Sequence, residues 1–420
     1  MMREGTKAWH GLDAAALESL ATAHGTPFFV YDADAVNARI RAVREAMSGR
    51  VEVYYAVKCN PNLALLRAVR TTADGLDISS GGELEQALAA GYEGRRLSFA
   101  GPAKTDAELV AAIRAGVGAI SIESARELSA CIAASKQLGR RACVALRVNP
   151  LQINRAFGIK MGGKAVQFGI DEEDLSGVLA TVAEHPRELD FRGIHVYAGS
   201  QCFDPAALAE GVANTLRIAR ELEARSGLRC HTVNLGGGFG VAHGETDREL
   251  DLAAAAESVR PIVDEFIAAG AVKRTLVFEL GRYLVAEAGL YVTRVLGSKS
   301  SRGKTFFLVD GGLHHHLAAA GTFGAALRAN FALRNLSRPD AQTVRCEVAG
   351  PSCNPTDLLG IDVELGRPEV GDLVGVLKSG SYGLTASPVL FLGRQTPAEL
   401  VLHDGAAALG RGPKRMSDFN

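Results

Sequence analysis

The chain has 420 residues, of which 47% are hydrophobic and 22% charged, and a formal net charge of −1. That length exceeds one ordinary domain, and that composition supports a sizeable core and excludes wholesale disorder. The charge balance offers no basic field for nucleic acid or an anionic membrane, no apolar run is long enough to span a bilayer, and the polar stretch Met1–His10 has no signal core.

In chain order, Gly25–Asp32 comes first, an extended run containing Pro-Phe-Phe-Val-Tyr that predicts a strand of a later unit. Short apolar runs then alternate with Ala-, Leu- and Glu-rich stretches of helical period. The predicted strands are Val51–Lys58, Gly75–Ser80, Arg96–Gly101, Ala119–Glu123, Ala142–Asn149, Phe191–Ser200, Thr232–Gly238 and Thr275–Arg282. Their nearly unbroken apolar character suits strands buried on both faces. Between them Asn62–Arg70, Glu83–Ala90, Asp106–Ala115, Ala125–Leu138 and Leu208–Arg225 have helical period, with Asp106 placed as a cap. Eight β/α alternations predict an α/β chain with a (β/α)8 barrel over residues 33–283. A doubly wound open sheet has the same alternation, and strand count does not exclude it. The segment Pro150–Phe168 is long, basic and glycine-containing, and follows the fifth strand, where barrels place substrate loops. From Gly289 the helical period fades. The runs Leu290–Leu296, Thr305–Val309, Thr343–Val348 and Asp372–Leu377, separated by Gly, Pro and Asp, predict a second, all-β domain built from residues 1–32 and 284–420. The seven cysteines include no C-x-x-C pair, which points away from a disulfide framework or structural zinc and towards a reducing cytoplasm.

Barrel enzymes build their sites at the C-terminal ends of their strands. Those ends carry Lys58, Asp77, Glu123, Arg147 with Asn149, His195 with Tyr197 and Ser200, the Gly236–Gly240 cluster, and Glu279 with Arg282. Charge at buried strand ends is costly unless used or paired. Lys58 closes an apolar, aromatic strand, where desolvation is expected to lower its pKa and free the amine for imine chemistry; the plainer reading is a snorkelling surface lysine. The glycines allow backbone N–H groups to approach an anion, or merely form a tight turn. Glu279 is placed to hold a protonated ring nitrogen and Arg282 a phosphate, or the two form a structural ion pair. His314-His315-His316 lacks metal-ligand spacing and reads as a loop or subunit contact, and no metal site is expected.

Seven motifs in register then resemble the pyridoxal-phosphate (PLP) dependent decarboxylases of the alanine-racemase-like fold, which act on diaminopimelate, ornithine or arginine. They are Tyr55 to Asn60 (Tyr-Ala-Val-Lys-Cys-Asn), Asp77 to Glu83 (Asp-Ile-Ser-Ser-Gly-Gly-Glu), Gly199-Ser200-Gln201, Gly236–Gly240, Glu279 to Arg282, Gly350 to Asp357 (Gly-Pro-Ser-Cys-Asn-Pro-Thr-Asp) and Gly380 to Gly383 (Gly-Ser-Tyr-Gly). The resemblance covers nearly the whole chain. It implies that Lys58 holds PLP as a Schiff base and that Glu279 pairs with the pyridine nitrogen. Ser200, Gly237, Gly238, Arg282 and Tyr382 then surround the phosphate, and Asp77 and Arg147 belong to the cofactor's polar shell. It further implies a head-to-tail homodimer in which Cys353, with Asn354 and Asp357, is supplied by the second subunit. The ring would serve as electron sink while CO2 leaves, and Cys353 would return a proton to Cα.

Three departures bear on substrate. The family's ring-stacking histidine is replaced by Tyr197, with His195 two residues earlier on the same strand face. Asn354 stands where diaminopimelate decarboxylases have a glutamate and ornithine decarboxylases an aspartate for a distal ammonium. After Asp310-Gly-Gly, the stretch Leu313–Gly321 lacks the arginine and tyrosine that hold a distal carboxylate. Meso-diaminopimelate and free diamine precursors are therefore disfavoured. The stretches Lys160–Gly169 and Tyr382–Pro388 are similar to a subgroup of specialised biosynthesis, some of whose members decarboxylate carrier-linked amino acids; Lys160 and Lys164 are placed to meet a phosphopantetheine or carboxylate. Competing expectations are a true diaminopimelate or basic amino-acid decarboxylase, an amino-acid racemase, and a non-catalytic PLP-binding relative. Retention of Glu279 and Cys353 argues against the last two.

Overall fold

The computed structural model describes residues 8–244, 249–269, 273–321, 323 and 330–420; of the polar N-terminal stretch, residues 1–7 lie outside them. Eight parallel strands run Glu52–Ala56, Gly75–Ile78, Leu97–Phe99, Ala119–Ile122, Ala142–Asn149, Leu189–Val196, Thr232–Asn234 and Thr275–Leu280. Each pairs with the next, and the last pairs back onto the first through Glu279 opposite Tyr54 and Leu280 opposite Tyr55. The ring is closed, which excludes the open doubly wound sheet. Closure removes both edges, so the buried backbone groups of these short strands find partners on either side.

The helices between them follow the sequence closely. Asp106–Ala115 and Ala125–Leu138 have the predicted bounds. One detail differs. Thr105, not Asp106, caps the first of these, and Glu108 reaches back to the Thr105 N–H to complete a capping box. Thr105 has the extended backbone a cap requires, whereas Asp106 already belongs to the first turn. Seven of the eight barrel strands also end sooner than expected, two of them at site residues. Lys58 lies in a single 3-10 turn, Val57–Cys59, just beyond its strand. The sixth strand stops at Val196, and Gly199–Ser200 pairs separately with Ile159–Lys160 of the long loop.

The second unit is a nine-stranded sheet. Phe28–Asp32 lies inside it, antiparallel to Gly289–Ser301 and parallel to Ala398–His403. Lys304–Val309, Thr343–Ala349 and Leu358–Gly366 extend the sheet on one side, and Leu373–Val376 branches from Gly289–Ser301. Phe28, Phe29, Val30 and Tyr31 are fully buried, since this strand packs on both faces. Glu399 ties the units together: it accepts from Tyr31 (2.8 Å) and from Asn62 (3.1 Å), the cap of the first barrel helix. Among the described residues, no helix is long and apolar enough to cross a membrane.

His314–His316 lie in a loop, as expected, and all three are buried inside the second unit. His316 packs near Phe29, Tyr291 and Phe331, and His315 bonds to Tyr291 Oη (3.2 Å) and the Gln395 carbonyl (3.0 Å). Burial pushes the pKa values of His315 and His316 down to about 3, so both rings are neutral.

Candidate active site

A cavity of about 360 Å³ opens at the C-terminal end of the barrel, within the size range of small-ligand sites. Lys58, Arg147, His195, Tyr197, Ser200, Gly238, Glu279, Arg282 and Tyr382, each picked out from sequence, line it together. The 3-10 turn lifts Lys58 off the strand and into this space, where its side chain remains 41% exposed.

Lys58 Nζ lies 3.1 Å from Asp77 Oδ2 and 5.9 Å from the centre of the Tyr197 ring. Here the expected direction of its pKa is reversed. Burial opposes the ammonium, but the charges of Asp77 and Glu279 outweigh burial and hold the pKa well above the lysine range. Asp77 is fully buried and bonds to Lys58 from outside the cavity lining. Burial and the nearby Glu279 push its carboxyl up, and its Oδ1 is buried without a hydrogen-bond partner.

Glu279 is buried at the end of the eighth strand. Burial alone would raise its pKa, but His195, Lys58 and Arg147 outweigh burial and bring it well below the usual carboxylate range. Its Oε1 lies 3.2 Å from His195 Nε2, and its Oε2 accepts from Asn234 Nδ2 at 2.9 Å. His195 Nδ1 in turn lies 3.1 Å from Ser121 Oγ. Glu279 thus faces His195 and Asn234, while the Arg282 guanidinium lies 4.8 Å from the centre of the Tyr382 ring. Ser121 and Asn234 were not singled out by sequence. Both are neutral polar residues inside apolar strands, and only a polar residue at a both-face-buried position signals them.

The glycine turn has two tasks. A Cβ on Gly237 would collide with the Glu279 carbonyl oxygen, and one on Gly238 (φ +87°) with that of Gly199. Close packing therefore demands both glycines. Gly238 also lines the cavity beside Ser200, whereas Gly237 faces the Glu279 backbone.

Arg147 donates to Glu123 (2.8 Å) and lies 4.9 Å from the centre of the Phe168 ring. Glu123 also accepts from the backbone of Gly101 (2.6 Å) and Gly169 (3.1 Å), so one carboxylate gathers three strand-end segments. The long loop contributes Met161 and Phe168 to the lining, while Lys160 and Lys164 are exposed. Tyr382 arrives from the second unit. Its N–H donates to the Cys59 carbonyl (2.7 Å), and its φ of +53° is a strained conformation held by that contact. Asn60 supports the same crossing with a 2.9 Å bond to the Gly380 carbonyl.

Cys353, Asn354 and Asp357 are not brought to this cavity within one chain. Cys353 is exposed. Asn354 Oδ1 accepts from the Thr356 N–H (3.0 Å) and hydroxyl (2.9 Å). Asp357 is buried within its own chain, and its two oxygens accept from the backbone of Leu313 (2.6 Å) and Ser352 (2.9 Å). Its carboxylate shapes the loop that carries Cys353.

Residues 33–286 match the family described as pyridoxal-dependent decarboxylase, pyridoxal binding domain. Over 95% of its length the chain is 38% identical to L-glutamyl-[BtrI acyl-carrier protein] decarboxylase of Niallia circulans, covering 94% of that protein. It is 28% identical to diaminopimelate decarboxylase of Zymomonas mobilis, covering 96% of this chain and 94% of that one. Among solved structures, Helicobacter pylori diaminopimelate decarboxylase complexed with L-lysine superposes with a TM-score of 0.86 at 28% identity, covering 96% of this chain and 98% of that one.

Proposed function

This chain belongs to the pyridoxal-dependent decarboxylase family, and from that membership we propose that its substrate is an amino acid joined through its distal carboxyl to a carrier. The enzyme is a PLP-dependent amino-acid decarboxylase. Its residues fit the cofactor: an amine at Lys58, a buried carboxylate at Glu279, the unpartnered Asp77 oxygen, and Ser200, Gly238 and Arg282 for a phosphate. When bound, the protonated pyridine ring draws electrons from Cα as CO2 leaves. The chain's part is to position and to hold charge. Lys58 would offer the attachment amine, Glu279 would retain the proton on the ring nitrogen, and the Tyr197 ring, beside Lys58, would stack on the ring.

The observation that carries the substrate reading is Gly311–Ala320. This stretch holds no lysine or arginine, and burial keeps His315 and His316 neutral. It offers no fixed cation to a free distal carboxylate. A carboxyl already tied up in a carrier linkage needs none. The similarity to a glutamyl-carrier decarboxylase supports the same class. Lys160 and Lys164, exposed on the loop that lines the cavity, suit the phosphate of a phosphopantetheine arm.

Cys353 is exposed and lies outside the cavity lining of its own chain. We therefore read the working unit as a homodimer in which a second copy delivers this thiol to return the proton to Cα.

The test is CO2 release with mass spectrometry of the products, across glutamyl-carrier conjugate, free glutamate, meso-diaminopimelate, lysine, ornithine and arginine. Release from the conjugate alone is expected. Turnover of meso-diaminopimelate at an ordinary enzyme rate would overturn the reading. Lys160→Ala with Lys164→Ala is expected to raise KM for the conjugate about tenfold with kcat unchanged; an unchanged KM removes the lysines from the proposal.

A further inference from the structure

Glu279 is a buried carboxylate whose two oxygens point to different residues, each of which is held by a further contact. His195 faces Oε1, and Asn234 donates to Oε2. His195 Nε2 lies 3.2 Å from Oε1, and its Nδ1 lies 3.1 Å from the Ser121 hydroxyl. Asn234 also works in the other direction. Its Oδ1 accepts from the Gly236 N–H at 2.8 Å, while the Glu279 N–H donates to the Gly236 carbonyl at 2.8 Å. Ser121, His195, Asn234 and Glu279 come from the fourth, sixth, seventh and eighth strands. Half the barrel thus converges on one side chain. All four residues are buried, and of these only His195 and Glu279 line the cavity.

We propose that Ser121, His195 and Asn234 form a clamp of positioning residues that holds Glu279 ionised and fixes its distance from the Gly236–Gly238 turn. Glu279 and this turn both border the cavity, where Glu279 would hold the cofactor's ring nitrogen and Gly238 its phosphate. A clamp that couples them sets the span into which the cofactor must fit. Lys58, Asp77, Arg147 and Tyr197 also face this carboxylate. Of the surrounding groups, His195 contributes most to the low pKa of Glu279.

The experiment uses the PLP-loaded enzyme and three readouts: cofactor affinity, the pH midpoint of the bound cofactor's visible absorption, and the kcat/KM split. His195→Leu is expected to weaken cofactor affinity about tenfold or more. It should move the absorption midpoint about one pH unit higher, because a ring that holds its proton less firmly withdraws fewer electrons from the titrating nitrogen. It should lower kcat and leave KM near its original value. His195→Gln, which keeps a donor near the Nε2 position, should restore the midpoint, and Ser121→Ala should shift it partway. A His195→Leu enzyme with an unmoved midpoint and kcat within about twofold would overturn the proposal. If that variant does not fold by circular dichroism, Ser121→Ala and Asn234→Ala, each removing one partner outside the cavity lining, decide between the same outcomes.

Discussion

Lys58 and Glu279 share a cavity but differ in how they are held. Lys58 is open to the cavity and paired once, to Asp77; Glu279 is buried, bonded by Asn234 and flanked by His195. The first arrangement leaves an amine able to change partner, and the second leaves a charge that cannot move. Lys58→Ala is therefore expected to abolish both the cofactor's visible absorbance and CO2 release, while the protein stays folded. Retained absorbance would show that another group holds the cofactor. Glu279 also predicts a pH effect on the unloaded protein. Its pKa falls from 4.5 to about 2 on folding, so it contributes stability that is present above about pH 4.5 and lost as pH falls. Glu279→Gln should flatten the decline of melting temperature between about pH 5 and pH 3; an unchanged slope counts against this carboxylate as its source. Lys58 and Glu279 were legible in the sequence because charge at the end of a buried strand is conspicuous. Ser121 and Asn234 were not, because a neutral hydroxyl or amide acquires a role only when the strands that carry its partners lie beside it. The pKa of Lys58 was misjudged for the same reason: burial is readable along one strand, whereas the opposing carboxylates come from two others.

The Gly236–Gly238 turn is the most demanding element of the barrel. Its backbone passes so close to Gly199 and Glu279 that no Cβ fits at Gly237 or Gly238. Gly237→Ala should push the eighth strand outward at Glu279 and so weaken cofactor binding about tenfold or more, although the substitution adds only one methyl group. Equilibrium dialysis of PLP against the variant checks this, and unaltered affinity would show that the turn yields without moving the carboxylate. The sequence exposed the eight barrel strands because each is apolar on both faces, and it exposed the helices by their period. It did not expose Leu358–Gly366 or Ala398–His403. Leu358–Gly366 mixes buried with exposed positions and crosses register shifts, so no clean alternation marks it. The cap at Thr105 was missed by one position because an aspartate in the first turn resembles a cap in composition alone.

At the scale of the whole molecule, the two units meet where the chemistry is. Tyr382 crosses to the Cys59 carbonyl, Asn60 to Gly380, and Lys378 Nζ to the Ala242 carbonyl at 2.6 Å. Cys353, by contrast, faces outward. If a second copy supplies it, Lys58→Ala and Cys353→Ala enzymes, each inactive alone, should regain up to about one quarter of native activity when mixed and allowed to exchange subunits. Random exchange makes half the pairs mixed, and each mixed pair has one intact site. No recovery despite proven exchange would mean that site and thiol belong to one chain. The same architecture has a consequence for divergence. Asn149 holds Gly163 N–H and the Lys164 carbonyl, Glu123 holds Gly169 N–H, and the Ile159–Lys160 pair is stitched to Gly199–Ser200. The loop that lines the cavity is therefore fastened to the barrel through its backbone, which side-chain changes at its exposed positions leave in place. It behaves as an interchangeable cassette, through which relatives can trade one clientele for another while the reaction centre stays as it was.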